Sequence, residues 1–245
     1  MAFPPTVPRA RCVSRAVHRR PLTRPAQLVV DLACEFGVQH LVYSSAERGH
    51  ESRDELAKLS YRAKVNIERY IQAKQGLSWT IVRPVFFMEN FDGLIGRITF
   101  SVLRAGLKKD TKLQLIAADN IGQVVFVVMR SPETYAGQSI PVLGDALTMQ
   151  EIQDAYLRGA EHAIPSIPTV LAAGIKAMNK HTQGVVESIE TIHADRIQYG
   201  VKCREIYPCM HTFESWAKVH SRTASAERKD GWNGVSLISL LKGSL

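Results

Sequence analysis

Lys64 and Glu68 stand four residues apart in "YRAKVNIERYI", a stretch whose apolar residues recur at helical spacing. At about 100° per residue, with Ser60 as origin, Ile67 and Ile71 fall at about 340° and about 20°. Lys64 and Glu68 land beside them, at about 40° and about 80°, and Tyr61 and Val65 close the arc at about 100° and about 140°. Arg62, Asn66 and Arg69 lie opposite, as a solvated face should. The plain reading is an ion pair at the edge of the core. However, Glu preceding Lys is the better order for helix support, and here the order is reversed. A lysine aimed at a sheet is also costly unless it is paired or opens on a cleft. Lys64 is therefore a candidate site residue.

A second group of candidates sits where strands end. "HLVYSS" (40–45) closes on Ser44 and Ser45, and "WTIVRP" (79–84) closes on Arg83. The chain then stays apolar through Phe86, Phe87 and Met88 before presenting Glu89 and Asn90. In open α/β sheets ligands bind outside the carboxyl ends of the strands. Each feature has a bland counterpart: serines form turns, Arg-Pro stops strands, and Phe-Phe-Met packs cores. Their convergence is the stronger observation.

The elements that must position these residues follow from periodicity and punctuation. Gln27 to Phe36 is expected as a helix closed by Gly37. Strand 40–45, a polar loop 46–53, a helix to about Lys74 and strand 79–84 make a βαβ unit, the building block of parallel sheets. A helix from Phe91 to Leu107, a strand at 112–118, a helix ending near Ser131 and a strand at 138–144 follow. Thr148 can cap a helix from Met149 to Gly159. Further helices are expected at 168–179, 183–200 and 212–220, then a polar tail from 221 to 245.

The chain has 245 residues and a formal charge of +8. Residues 1–25 hold six arginines, five prolines and no acid, and without them 25 basic residues face 23 acidic ones. A near-neutral body argues against direct nucleic-acid binding, which needs a basic face. The five prolines oppose a helix across 1–25, which is expected to be disordered. The longest apolar runs, such as Val124 to Met129, fall far short of the roughly 20 residues of a membrane span. Cys12, Cys34, Cys203 and Cys209 form no C-x-x-C pair, and Cys203, Cys209 and His211 match no zinc spacing. They are expected to be reduced, in the cytoplasm or the nucleus.

Taken in order, "GVQHLVYSSAERG", "AKVNIERYI", "GLSWTIVRPVFFMENF", "NIGQVVFVV", "SPETYAGQSIPVLGDALTMQEI" and "HTFESW" resemble the NmrA-like family. This is an atypical branch of the short-chain dehydrogenase/reductase superfamily. The resemblance covers about residues 26–220 and implies an α/β fold, a Rossmann-like parallel sheet with a smaller, mainly helical C-terminal subdomain. It implies NADP or NAD as cofactor. Many members are redox-sensing regulators with protein partners such as transcription factors, while isoflavone reductase-like relatives are reductases. By resemblance Lys64 faces the nicotinamide ribose, Phe87, Met88, Glu89 and Asn90 line the nicotinamide end, and Ser44 and Ser45 lie beside the cofactor.

Three departures from the family bear on function. The family opens with a strand and a G-x-x-G-x-x-G turn that lets backbone approach the pyrophosphate, but this chain has no glycine before Gly37. About four N-terminal strands of the family domain have no counterpart, so the Rossmann part is expected to be incomplete. The chain then looks like a truncated or mis-spliced product. A transit peptide is the rival reading, although it would precede the glycine turn, not replace it. The superfamily tyrosine, four residues before the lysine, is Ser60 here, with Tyr61 one place out of step and Ala63 where relatives often carry serine. Serine is a much poorer proton donor. Finally, the family's Asp-Ile-Gly is Asn120-Ile121-Gly122.

The leading expectation is a regulatory or oxidoreductase-type protein with an incomplete NADP site. The alternatives are an active NADPH-dependent reductase using Lys64 with Tyr61, and a cofactor-independent interaction module. Strand 40–45 would lose a neighbour, and such edges invite self-association.

Overall fold

The structure, a computed structural model, describes residues 23–56, 59–195 and 200–223. Helix α1 (Thr23–Glu35) starts four residues before the expected Gln27. Residues 23–25, expected in a disordered segment, are therefore helical. Pro25 falls in the first turn, where a missing N–H breaks no intrahelical bond. Residues 1–22 and 224–245, the bulk of the expected basic segment and tail, lie outside the described residues. Gly37 has φ +62°, and the Val38 amide reaches back to the Ala33 carbonyl at 2.9 Å. This is the glycine-dependent helix stop that the sequence suggests.

The expected βαβ unit is present. Strand β1 (Leu41–Ser44) leads through a 3₁₀ turn (Glu51–Leu56) to α2 (Leu59–Gln72) and β2 (Trp79–Pro84). β1 and β2 are parallel, with Leu41 opposite Trp79 and Ser44 opposite Val82. After Val85 the chain enters a two-residue strand, β3 (Phe86–Phe87), of a different sheet. Next come a 3₁₀ turn (Met88–Phe91), α3 (Gly93–Gly106), β4 (Leu113–Ile116), α4 (Ala118–Arg130) and α5 (Pro132–Tyr135). Strand β5 (Gln138–Val142) lies parallel to β2 on the side away from β1. The short β6 (Asp145–Leu147) runs antiparallel to β4, which pairs in parallel with β3. Two three-stranded sheets result, in the orders β1-β2-β5 and β3-β4-β6.

Helices dominate from there on. Thr148, the expected cap, starts α6 (Met149–Ala160) as part of a capping box: Thr148 Oγ1 accepts from the Glu151 amide, and Glu151 Oε2 accepts from the Thr148 amide. The rest are α7 (Thr169–Met178), α8 (Lys180–Ala194), α9 (Gly200–Ile206) and α10 (Phe213–Thr223). The single helix expected over 183–200 is thus α8, with α9 starting as a second helix at Gly200. The helix expected from Phe91 begins at Gly93, because Met88–Phe91 forms its own tight turn.

The chain is an α/β protein with a parallel sheet and a helical C-terminal part. One apolar cluster joins Met88, Phe91, Phe100, Leu115, Phe213 and Trp216 under α6 and α10. A second joins Val82, Ile140 and Val142 to Ile116, Val124 and Val128 of β4 and α4. A third packs Val30 and Ala33 of α1 on Ile67 and Ile71 of α2. Each buried Val, Leu, Ile, Phe or Met among them contributes about 1.5–3 kcal/mol. Together the clusters fix α2, the β2–β3 crossing and α8 around one cleft.

Candidate functional site

The loop leaving β1 is held down by ionic contacts. Arg48 makes a two-point contact with Asp54, Nε to Oδ1 at 2.6 Å and Nη2 to Oδ2 at 2.9 Å. The same guanidinium reaches Glu68 of α2 with Nη1 and Nη2 at 2.9 and 2.8 Å. From the end of β2, Arg83 Nη2 contacts Glu68 Oε2 at 2.6 Å and its Nη1 contacts Glu51 at 2.9 Å. Burial alone would raise the Glu68 carboxyl, but the hydrogen bonds from Arg48 and Arg83 outweigh it and hold it below its ordinary value. Glu68 is only 2% exposed, so this carboxylate joins loop, helix and strand. It is not simply the i,i+4 partner of Lys64.

Beside this cluster lies a cleft of about 380 Å³. Ser45, Glu47, Tyr61 and Lys64 line one side, from the β1 exit and α2. Val85, Phe86, Phe87 and Asn90 line another, where the chain crosses from β2 to β3. Val185, Ser188, Ile189 and Ile192 of α8 close the space, with Leu113 and Gln114 of β4 below. Lys64 Nζ donates to the Ser45 carbonyl at 3.1 Å. Burial lowers the Lys64 pKa, while the Glu68 charge works against that shift. Burial raises the Tyr61 hydroxyl, a hydrogen bond with Ser188 acts against it, and the Glu47 carboxylate adds to the rise. Glu47 Oε1 accepts from the amides of Arg48 and Gly49 at 2.9 and 2.8 Å.

Helix α8 is anchored along its length. Glu190 accepts from the Lys108 amide and Thr111 Oγ1, and His193 Nδ1 from the Lys112 amide. Just past its end, Asp195 Oδ2 accepts from the His50 amide at 3.1 Å. Gly49, at φ +90°, makes that approach feasible: a Cβ there would stand 2.6 Å from the same oxygen.

Of the residues expected in the site, Ser45, Lys64, Phe87 and Asn90 meet in the cleft. Ser44 lies outside it, exposed at the end of β1. Met88 is fully buried in the apolar cluster under α6 and α10. Glu89 turns away as well: its Oε1 accepts from the Ala118 amide at 3.0 Å and from Trp216 Nε1 at 3.2 Å, tying α4 to α10. The Met88–Phe91 turn causes this split, since consecutive side chains there point in different directions. Among the described residues no cluster of His, Cys, Asp or Glu could hold a metal ion. No helix among them is long and apolar enough to cross a membrane.

The sequence profile of the NmrA-like family matches residues 19–217. The chain belongs to this family. An NmrA-like family domain-containing oxidoreductase, cpsB of Aspergillus campestris (strain IBT 28561), is 29% identical over 151 residues. That match covers 53% of this chain and 44% of the relative, so the chain spans less than half of the relative's length. A solved structure of NmrA, a negative transcriptional regulator, in complex with NADP is 16% identical. It matches 84% of this chain and 73% of its own with TM-score 0.59. A Citrobacter sp. triphenylmethane reductase matches 84% of this chain and 74% of its own at 12% identity and TM-score 0.60. At these identities the structural likeness carries the fold.

In this NmrA-like chain the cleft offers an amine at Lys64, an amide at Asn90 and a flat apolar wall at Phe87, groups of the kind that a nicotinamide would need. The pyrophosphate end is different. The described residues before β1 form α1, and no G-x-x-G-x-x-G run occurs in the sequence. The sequence placed Tyr61 on the right helical arc and gave it a site role only in the reductase alternative, and it gave no sign of Glu47, Ser188, Ile189 or Ile192. The α8 residues lie more than a hundred positions away in sequence, with no local signal linking them to Lys64.

Proposed function

We propose that this NmrA-like chain is a redox-sensing regulatory protein of oxidoreductase type. In this reading it keeps the nicotinamide-and-substrate cleft of the family, and the 245-residue polypeptide holds NADP only weakly. The contact between Lys64 Nζ and the Ser45 carbonyl, in a cleft walled by Phe87 and Asn90, carries the reading. Lys64 acts there as a hydrogen-bond donor and positive charge, Asn90 as a neutral orienting group, and Phe87 as the wall that excludes water. Dinucleotides gain much of their affinity from backbone amides at a glycine turn and helix N-terminus, and the chain offers no such run. A calorimetric titration of the polypeptide with NADP tests this: a Kd in the millimolar range or no heat is expected. Micromolar affinity would reject it.

The cleft-lining position of Tyr61 favours a second reading, an active reductase. Loss of NADPH absorbance with an aldehyde or ketone, abolished in Lys64→Ala, would favour it. Absence of turnover across a broad substrate panel would reject it.

A further inference from the structure

We propose that α7 and the arginine side of α3 form a docking surface for a bilayer that contains anionic lipid. No residue of either helix lines the cleft, so this surface stands apart from any nucleotide site. Helix α7 is amphipathic the wrong way round. At about 100° per residue, Ala173, Ala177, Val170, Gly174, Met178 and Leu171 fall in one arc of about 160°. Buried Ala172 lies opposite, with half-buried Ile175 and Lys176 on either side of it. The arc faces outward: Val170 is 87% exposed, Met178 is 88% exposed, and a Cβ on Gly174 would meet open space. The solvent side of a helix in a globular protein is normally polar, yet this arc holds no polar side chain.

The contacts around α7 keep that face turned out. The Ile167 amide donates to Ser101 Oγ of α3 at 2.9 Å, which fixes the segment before the helix. Gln183 Nε2 donates to the Lys176 and Ala177 carbonyls at 3.2 and 2.9 Å, so acceptors of the last turn are satisfied. The Lys176 stem lies along Gly106 of α3, where a Cβ would stand 3.4 Å from its Cδ. Val170 and Met178 project from opposite ends of the helix as a ridge, which suits a yielding surface better than a shaped pocket. Charge selects the kind of surface. Residues 93–109 and 163–186 contain no Asp or Glu, but they hold Arg97, Arg104, Lys108, Lys109, Lys176 and Lys180. Leu94, Arg97 and Arg104 are exposed along one stripe of α3, and Ser101 of the same stripe takes the Ile167 amide. The arginines therefore border the segment that leads into α7. Apolar side chains flanked by Lys and Arg hold a helix in the plane of an anionic membrane surface. Such binding needs no membrane span, and no helix among the described residues forms one.

Flotation of the 245-residue chain with two kinds of vesicle tests the assignment. One is phosphatidylcholine alone, and the other carries about 30% phosphatidylserine. The chain should bind the anionic vesicles at least about tenfold more tightly, since each cation near such a surface adds about fivefold. Val170→Ser combined with Met178→Ser should weaken that binding at least about tenfold, because two apolar side chains leave the acyl boundary. Arg97→Gln combined with Arg104→Gln should cut the preference for anionic vesicles at least about fivefold. Thermal unfolding of both pairs should match the parent, because these side chains are displayed and not packed. Binding that the serine pair leaves unchanged would place it elsewhere on the chain, as in the arginines of 1–25, and overturn the proposal. Equal binding to both vesicles, no binding to either, a preference untouched by the arginine pair, or a lowered Tm in the serine pair would also overturn it. So would self-association without vesicle binding that the serine pair abolishes, which would make a second copy the occupant.

Discussion

Glu68 lies between two guanidinium groups in a region almost without water, so removing it and removing its charge have different consequences. Glu68→Ala leaves Arg48 and Arg83 facing each other with no carboxylate between them, and breaking a buried ion pair from one side costs about 3–5 kcal/mol. Urea unfolding near neutral pH should show a loss of that size. Because its folded pKa is depressed, the stability Glu68 contributes is complete above its ordinary value of 4.5 and is lost as pH falls below that. Glu68→Gln should accordingly lose less stability than the parent protein between about pH 7 and about pH 3. A variant that loses as much as the parent would reassign the acid sensitivity to other carboxylates. The sequence showed that Lys64 and Glu68 share an apolar arc, and in the fold Lys64 lines the cleft. It could not show that Glu68 pairs with Arg48 and Arg83, because those partners come from a loop and a strand end that meet α2 only in the fold. Glu89 was legible as a polar end to an apolar run. Its task as an acceptor for Ala118 and Trp216 depends on α4 and α10, both distant in sequence.

Among the elements, the β2–β3 crossing explains the long apolar exit from a parallel strand. Val85 still donates to the Val142 carbonyl at 3.3 Å, and one residue later Phe86 pairs beside Leu115 in the second sheet. The chain stays apolar because it passes between two sheets. The strands and helices of the first sheet were legible because a four- to six-residue apolar run or a helical period marks each. Strands β3 and β6, two and three residues long, have no measurable period and were invisible. Helix packing gives a paired prediction. Gly159 of α6 lies against α10, where a Cβ would stand 2.3 Å from the Glu214 carbonyl oxygen, whereas a Cβ on Gly174 of α7 would meet open space. Gly159→Ala should therefore destabilise by about 1–3 kcal/mol through overpacking. Gly174→Ala should be neutral or stabilise by up to about 1 kcal/mol through lower chain entropy. Thermal unfolding of both variants checks this, and a stabilising Gly159→Ala would refute the close α6–α10 contact.

At the scale of the molecule, β1 has no strand partner on its outer side among the described residues. Next to it Leu28 and Val29 of α1, and Phe36 just past its end, face outward at 59%, 59% and 76% exposure. An unpaired edge beside an apolar helix face is a template for another chain. We propose a second copy as its occupant, with the two β1 edges extending one sheet. Sedimentation velocity should show a concentration-dependent dimer that Val42→Pro dissolves. A monomer at all concentrations would reject it. The family was legible because its distinguishing segments surround the cleft. How tightly this polypeptide holds a dinucleotide was not, because affinity depends on a pyrophosphate cradle outside those segments.

The central claim, that the chain holds the nicotinamide end of a dinucleotide site without the pyrophosphate end, is tested most directly by comparing NADPH with reduced nicotinamide mononucleotide in one calorimetric assay. The account predicts millimolar binding of both, with affinities within about tenfold, since the adenosine and second phosphate find little to bind. Binding of NADPH more than about a hundredfold tighter than the mononucleotide would contradict it.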